Sequence, residues 1–106
     1  MNNNIEFTYL YRDADNYKSW GNVIFSNSEK ISILEIELEM RNLLIDNEFF
    51  IASKIRVPEV FLYDNNKLTL SDHSFHEFYS LKYTNKEPND IFNRPFMKFL
   101  AELEKQ

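Results

Sequence analysis

The sequence predicts an α+β fold: a small, mostly antiparallel sheet packed against one main helix at about 27–45, plus a C-terminal amphipathic helix. Three patterns lead there. Residues 5–12 alternate, with Ile5, Phe7, Tyr9 and Tyr11 on one side and Glu6, Thr8, Leu10 and Arg12 on the other, the period of a half-buried strand. Ile33, Ile36, Met40, Leu43 and Leu44 recur at helical intervals over a length too great for a typical strand. Phe96, Phe99, Leu100 and Leu103 repeat at i, i+3, i+4 and i+7, with Pro95 near the first turn.

The remaining elements follow in order. Asp13 to Gly21 reads as a polar connection, and Val23-Ile24-Phe25 as a second strand pairing with the first. Leu34 to Met40 also alternates like a strand. The capping-box spacing of Ser26-Asn27-Ser28-Glu29 and the abundance of Glu, a good helix former and poor strand former, decide for a helix. Glu35, Glu37 and Glu39 form its solvated face. Glu48 to Ala52 is apolar and aromatic, and Pro58 interrupts the chain before a hairpin of Val60–Tyr63 and Leu68–Leu70. The next strand spans 74–84, placing Phe75, Glu77, Tyr79, Leu81 and Tyr83 on one face with His76 and Phe78 opposite. Asn89-Asp90 opens the helical tail. Gly21 is the only glycine, so left-handed turns fall to Asn and Asp, notably Asp46-Asn47 and Asp64-Asn65-Asn66.

Composition narrows the function classes. The 106 residues fit a single domain spanning 1–106, and 10 Phe, 6 Tyr and one Trp supply a core that needs no metal or disulfide. With no cysteine there is no disulfide, thiolate metal site or cysteine nucleophile. No basic-then-apolar leader and no long apolar run occur, so the expectation is a cytoplasmic protein with no membrane partner. Twelve basic residues scattered among 17 acidic ones give a net charge of −5 and no clustered basic face, which argues against nucleic acid.

Two polar stretches are the candidate sites. In the first, Arg12, Asp13, Asn16, Tyr17 and Lys18 stand where a strand ends, a favoured place for ligand contacts. Arg12 suits a two-pronged bond to carboxylate or phosphate, Asn16 both donates and accepts, and Lys18 adds a point charge. The simpler reading pairs Arg12 with Asp13 or Asp15 to order a turn. In the second, Asp72, His73, His76 and Glu77 bring two imidazoles and two carboxylates together. A helix would place His73, His76 and Glu77 on one face, but the expected strand turns His76 away, and the zinc-protease spacing His-Glu-x-x-His is absent. The simpler reading packs the histidines against Phe75 and Phe78. Trp20, Phe49, Phe50, Phe61, Phe92, Phe96 and Phe99 read mainly as core. A tail helix displaying Phe96 and Phe99 could instead dock on a partner or form a homodimer.

The runs Tyr11-Arg12-Asp13-Ala14, Asn16-Tyr17-Lys18 and Gly21, then Glu48-Phe49-Phe50-Ile51-Ala52 and Val57-Pro58-Glu59, then Asp72-His73 and His76-Glu77-Phe78 resemble a family of small uncharacterised bacterial proteins. The resemblance covers roughly residues 9–90. It implies no activity, only that the two polar stretches belong to one recurring unit and meet in space. The expected function is a non-enzymatic binding or regulatory module of bacterial, phage or mobile-element origin, such as an immunity or counter-defence inhibitor. It would recognise a protein or small polar ligand without a cofactor or bound metal. The alternative is a small enzyme or metal-binding protein using His73, His76, Glu77 and Asp13.

Overall fold

A computed structural model describes residues 4–13, 15–61 and 75–105. Strand β1 (Asn4–Arg12) carries the predicted alternation and lies at the centre of the sheet. It pairs antiparallel with β2 (Lys18–Phe25) on one side and with β4 (His76–Thr84) on the other, and the two-residue β3 (Phe49–Phe50) completes the order β2-β1-β4-β3. Helices α1 (Ile33–Leu43) and α2 (Phe96–Leu103) cover the inner face. The protein is therefore a small α+β fold with an antiparallel sheet. Residues 62–70 of the expected hairpin, with the Asp64–Asn66 turn, and residue 74 of the expected strand lie outside the described residues; Val60, Phe61 and Phe75 are described and belong to no strand, and β4 begins at His76.

The core forms where the inner-face positions of β1, Ile5, Phe7 and Tyr9, meet Val23 and Phe25 of β2, Phe50 of β3, Phe78 and Leu81 of β4, and the apolar stripes of both helices. Phe99 stacks on Phe25 at 4.4 Å between ring centroids and also approaches Phe7 at 5.4 Å. Phe96, Phe99, Leu100 and Leu103 are all buried within the chain, so the stripe suggested as a homodimer surface is occupied by the protein's own core.

Four expectations need correction. The main helix begins at Ile33 rather than near 27, and the Ser26–Glu29 capping box does not form. Instead the Ser26 carbonyl accepts the Phe96 N–H, Asn27 bonds Ile31 through its side chain, and Lys30 reverses the chain at φ 53°. Ser32 caps the helix without a side-chain bond, and the Tyr83 hydroxyl takes the Ile33 N–H at 3.1 Å. Strand β2 extends back to Lys18, through residues read as a polar connection. The tail helix begins at Phe96, because Asn89 pairs with β2 and Asp90 closes a turn onto Arg94. Finally, β4 is not one continuous alternation: β1 pairs Tyr9 with Phe78 but Thr8 with Ser80, so Tyr79 is the extra residue of a β-bulge. The bulge exchanges the faces beyond it, so Leu81 joins His76 and Phe78 on the inner face, and Tyr83 follows Leu81 to reach the start of α1, while Tyr79 is left exposed on the outside.

The Asp46-Asn47 turn adopts the expected left-handed conformation, at φ 53° and 59°. Gly21 has an extended role instead. It lies opposite Tyr9, and a Cβ there would stand 2.5 Å from the Tyr9 ring. That ring cannot move aside easily, because it is fully buried, stacks on Phe7 at 5.0 Å and donates its hydroxyl to the Pro58 carbonyl at 2.7 Å. Gly21→Ala should accordingly cost about 1–3 kcal/mol in urea denaturation, the usual range for overpacking. The cost should largely vanish in a Tyr9→Leu background, and equal losses in both backgrounds would mean that the ring is not the obstacle.

Candidate functional site

The β1–β2 connection is built by Asp13. One Asp13 carboxylate oxygen accepts the backbone N–H groups of Asp15 and Tyr17, each at 2.9 Å, and its own N–H reaches the Tyr17 carbonyl at 3.0 Å. Asn16 completes the reversal at φ 69°, a left-handed conformation that Asn tolerates. Asp13 is therefore engaged in the turn, which leaves Tyr17 69% exposed at its tip and starts β2 at Lys18, opposite Arg12.

Arg12 does not pair with Asp13 or Asp15. It reaches across the sheet to Glu77, with Nε 3.1 Å from Oε1 and Nη2 3.2 Å from Oε2, a two-pronged ion pair, while Nη1 donates to the Asn16 side chain. Register explains the reach: Leu10 opposes Glu77, so Arg12 lies two residues beyond on the same outer face. The bond to Glu77 raises the already high Arg12 pKa. The two polar stretches thus meet at Arg12, Asn16 and Glu77.

His76 belongs elsewhere. It is fully buried on the inner face, ringed by Tyr9, Tyr11, Phe50 and Phe61, and its Nε2 accepts the Val60 N–H at 3.1 Å. Nε2 is therefore the acceptor nitrogen of a core histidine, and neighbouring Glu77 points to the opposite side of the strand. Asp72 and His73 lie outside the described residues. Among the described residues no group of three His, Cys, Asp or Glu side chains is placed to hold a metal ion.

Beside the ion pair is an aromatic surface that the sequence reading missed. Trp20 and Tyr79 meet edge to face at 4.8 Å and remain 51% and 58% exposed. Beneath them Leu10, although on the outer face, is buried opposite Trp20. The signal was available: extending the alternation of Val23 and Phe25 backwards turns Lys18, Trp20 and Asn22 outwards. Tyr79 had no such signal, because the bulge determines its direction.

The buried Asp90–Arg94 pair was also missed. Asp90 takes Arg94 Nε and Nη2 at 2.9 Å each, the carbonyls of Ile55 and Arg56 take Nη1 and Nη2 at 2.8 Å, and Glu102 takes Nη1. Every one of the guanidinium's donors is engaged. The group also lies 5.2 to 5.6 Å from the ring centroids of Phe25, Phe92 and Phe99. This is an internal tie between loops and α2.

Comparison of the chain with protein-family models, with curated proteins and with solved structures finds no match. No described helix is long and apolar enough to cross a membrane.

Proposed function

We propose that this chain is a non-enzymatic protein-recognition module that engages its partner with the outer sheet face at the β1–β2 end. The observation carrying this reading is the exposed cluster of Tyr17, Trp20 and Tyr79 around the Arg12–Glu77 ion pair, with Lys18 at its border. Aromatic rings and Arg are the side chains on which binding energy concentrates, since they contribute large contact area at a low cost in lost freedom. The surroundings suit that use. The Glu77 carboxylate holds the Arg12 guanidinium in a fixed orientation, and Asp13 fixes the turn that presents Tyr17, so little order must be gained on binding.

The test begins with a partner recovered from the native host on the immobilised parent protein. Tyr17→Ala and Lys18→Ala should leave the melting midpoint nearly unchanged, because exposed substitutions alter stability by about 0.5 kcal/mol or less. Calorimetric affinity for the recovered partner should fall about tenfold or more. Arg12→Ala should lower both, since it also deprives the mostly buried Glu77 side chain, 12% exposed, of its counter-charge. Unchanged affinity in both the Tyr17 and Lys18 variants would remove this face as the site.

A further inference from the structure

β2 is an edge strand that is covered for only part of its length. The Ile24 N–H donates to the Asn89 side-chain oxygen at 2.8 Å and the Ile24 carbonyl accepts the Asn89 N–H at 3.0 Å, so the backbone groups of Ile24 face away from β1. Ser26 is covered next, bridged to Pro95 and bonded to the Phe96 N–H. By the two-residue period of a strand, Asn22 and Trp20 turn their N–H and C=O groups the same way, and no described residue pairs with them. Edge strands are commonly blunted by charge, proline or a bulge. The open part of this one, Lys18-Ser19-Trp20-Gly21-Asn22, has a single charge, no proline and an exposed Trp.

We propose that a second copy of this chain adds its β2 to this edge, antiparallel about a two-fold axis at Trp20, so that one sheet runs through both molecules. In this register Trp20 exchanges backbone hydrogen bonds with Trp20 of the second copy, and Lys18 lies opposite Asn22. Three features select a copy of the chain as the occupant. The turn closed by Asp13 carries each chain off the edge just before Lys18, clear of the place where Asn89 of the other molecule caps Ile24. On the inner face Ser19 meets Gly21, so no bulky side chains collide. On the outer face each Lys18 approaches Asn22, whose amide already bonds Glu6, so an ammonium meets a carboxylate and no like charges stand opposite. The same approach carries the exposed Tyr17 towards a cavity of about 200 Å³ lined by Asn22, Val23, Pro58, Asn89, Asp90 and Ile91 of the second copy. The proposal shares Trp20 and Tyr17 with the recognition face but rests on the backbone edge, independently of that reading.

Sedimentation equilibrium from low micromolar to several hundred micromolar protein, with amide hydrogen exchange at both extremes, tests it. The parent should pass from monomer to dimer. The Trp20 and Asn22 amides should gain protection with concentration while Ile24, already bonded to Asn89, does not. Asn22→Pro removes an outward N–H without touching the β1 ladder, and Trp20→Lys places two ammonium groups opposite each other; each should weaken dimerisation about tenfold or more. Leu34→Lys, on the far side of the molecule, should leave it unchanged. A parent that stays monomeric throughout overturns the proposal, as does a dimer that survives Trp20→Lys or gains its protection at other amides. If Asn22→Pro does not fold, Trp20→Lys and the exchange pattern still decide.

Discussion

Arg94→Met should destabilise the fold by about 3–5 kcal/mol, the usual consequence of removing one partner from a buried ion pair. The Arg94 side chain is 1% exposed, and its loss removes the guanidinium donors from Asp90 and from the carbonyls of Ile55 and Arg56, and leaves Glu102 with Arg56 alone. The pH dependence gives an independent reading. Burial pushes the Asp90 and Glu102 carboxyls up, but hydrogen bonds from Arg94, and for Glu102 first from Arg56, outweigh it and hold both below their ordinary values. A carboxyl depressed in the folded state contributes its stability above the unfolded pKa, about 4, and loses it as pH falls through the folded value. The parent should therefore weaken in urea melts as pH falls below about 4. In Arg94→Met, Asp90 keeps the backbone N–H bonds of residues 92 and 94 but loses the guanidinium bonds and charge that opposed burial, so its folded pKa rises and acidification should relieve part of the defect. Parallel pH profiles for parent and variant would contradict this account.

Met40→Asp should cost about 3–5 kcal/mol, because it places a carboxylate with no counter-charge in a fully buried position of α1. Leu34→Asp, on the opposite face of the same helix from Ile36 and Met40 and 86% exposed, should change the urea midpoint little. The contrast assigns the packed face by measurement. Equal losses would mean that α1 is buried all round, and equal neutrality that it does not pack on the sheet.

How much of this was legible depends on whether a local pattern or a distant partner determined the outcome. The β1 alternation, the α2 stripe and the Asp46-Asn47 turn are local, and all three appear where the residues place them. The face of α1 was readable from Ile36 and Met40, but its beginning was not, since Ser26 is committed to Phe96 and Tyr83 receives the first helical N–H. The faces of β4 failed at Tyr79, because a bulge arises from pairing with β1 and leaves no mark on β4 alone. The site divides in the same way. Arg12 and Glu77 were recognisable as candidates, yet that they bond each other follows from strand register. Trp20 appeared to be core until β2 was known to reach Lys18, and Arg94 carried no periodic signal at all.

The strand order has a consequence for how the chain is made. Of the four strands β1 is made before the others but ends at the middle of the sheet, between a neighbour that follows at once and one that arrives much later. The β1–β2 hairpin is able to close as soon as Phe25 is available, whereas the opposite rim of β1 waits until Thr84 has been synthesised. Phe7 waits longer still for the Phe99 ring of α2. Throughout that interval the nascent protein is a two-stranded ribbon with an aromatic face and two open rims, the species most inclined to pair with a neighbouring copy. Translation speed across the segment between β2 and β4 therefore governs how long the molecule is vulnerable, and synonymous codon changes there should alter soluble yield without altering the finished fold.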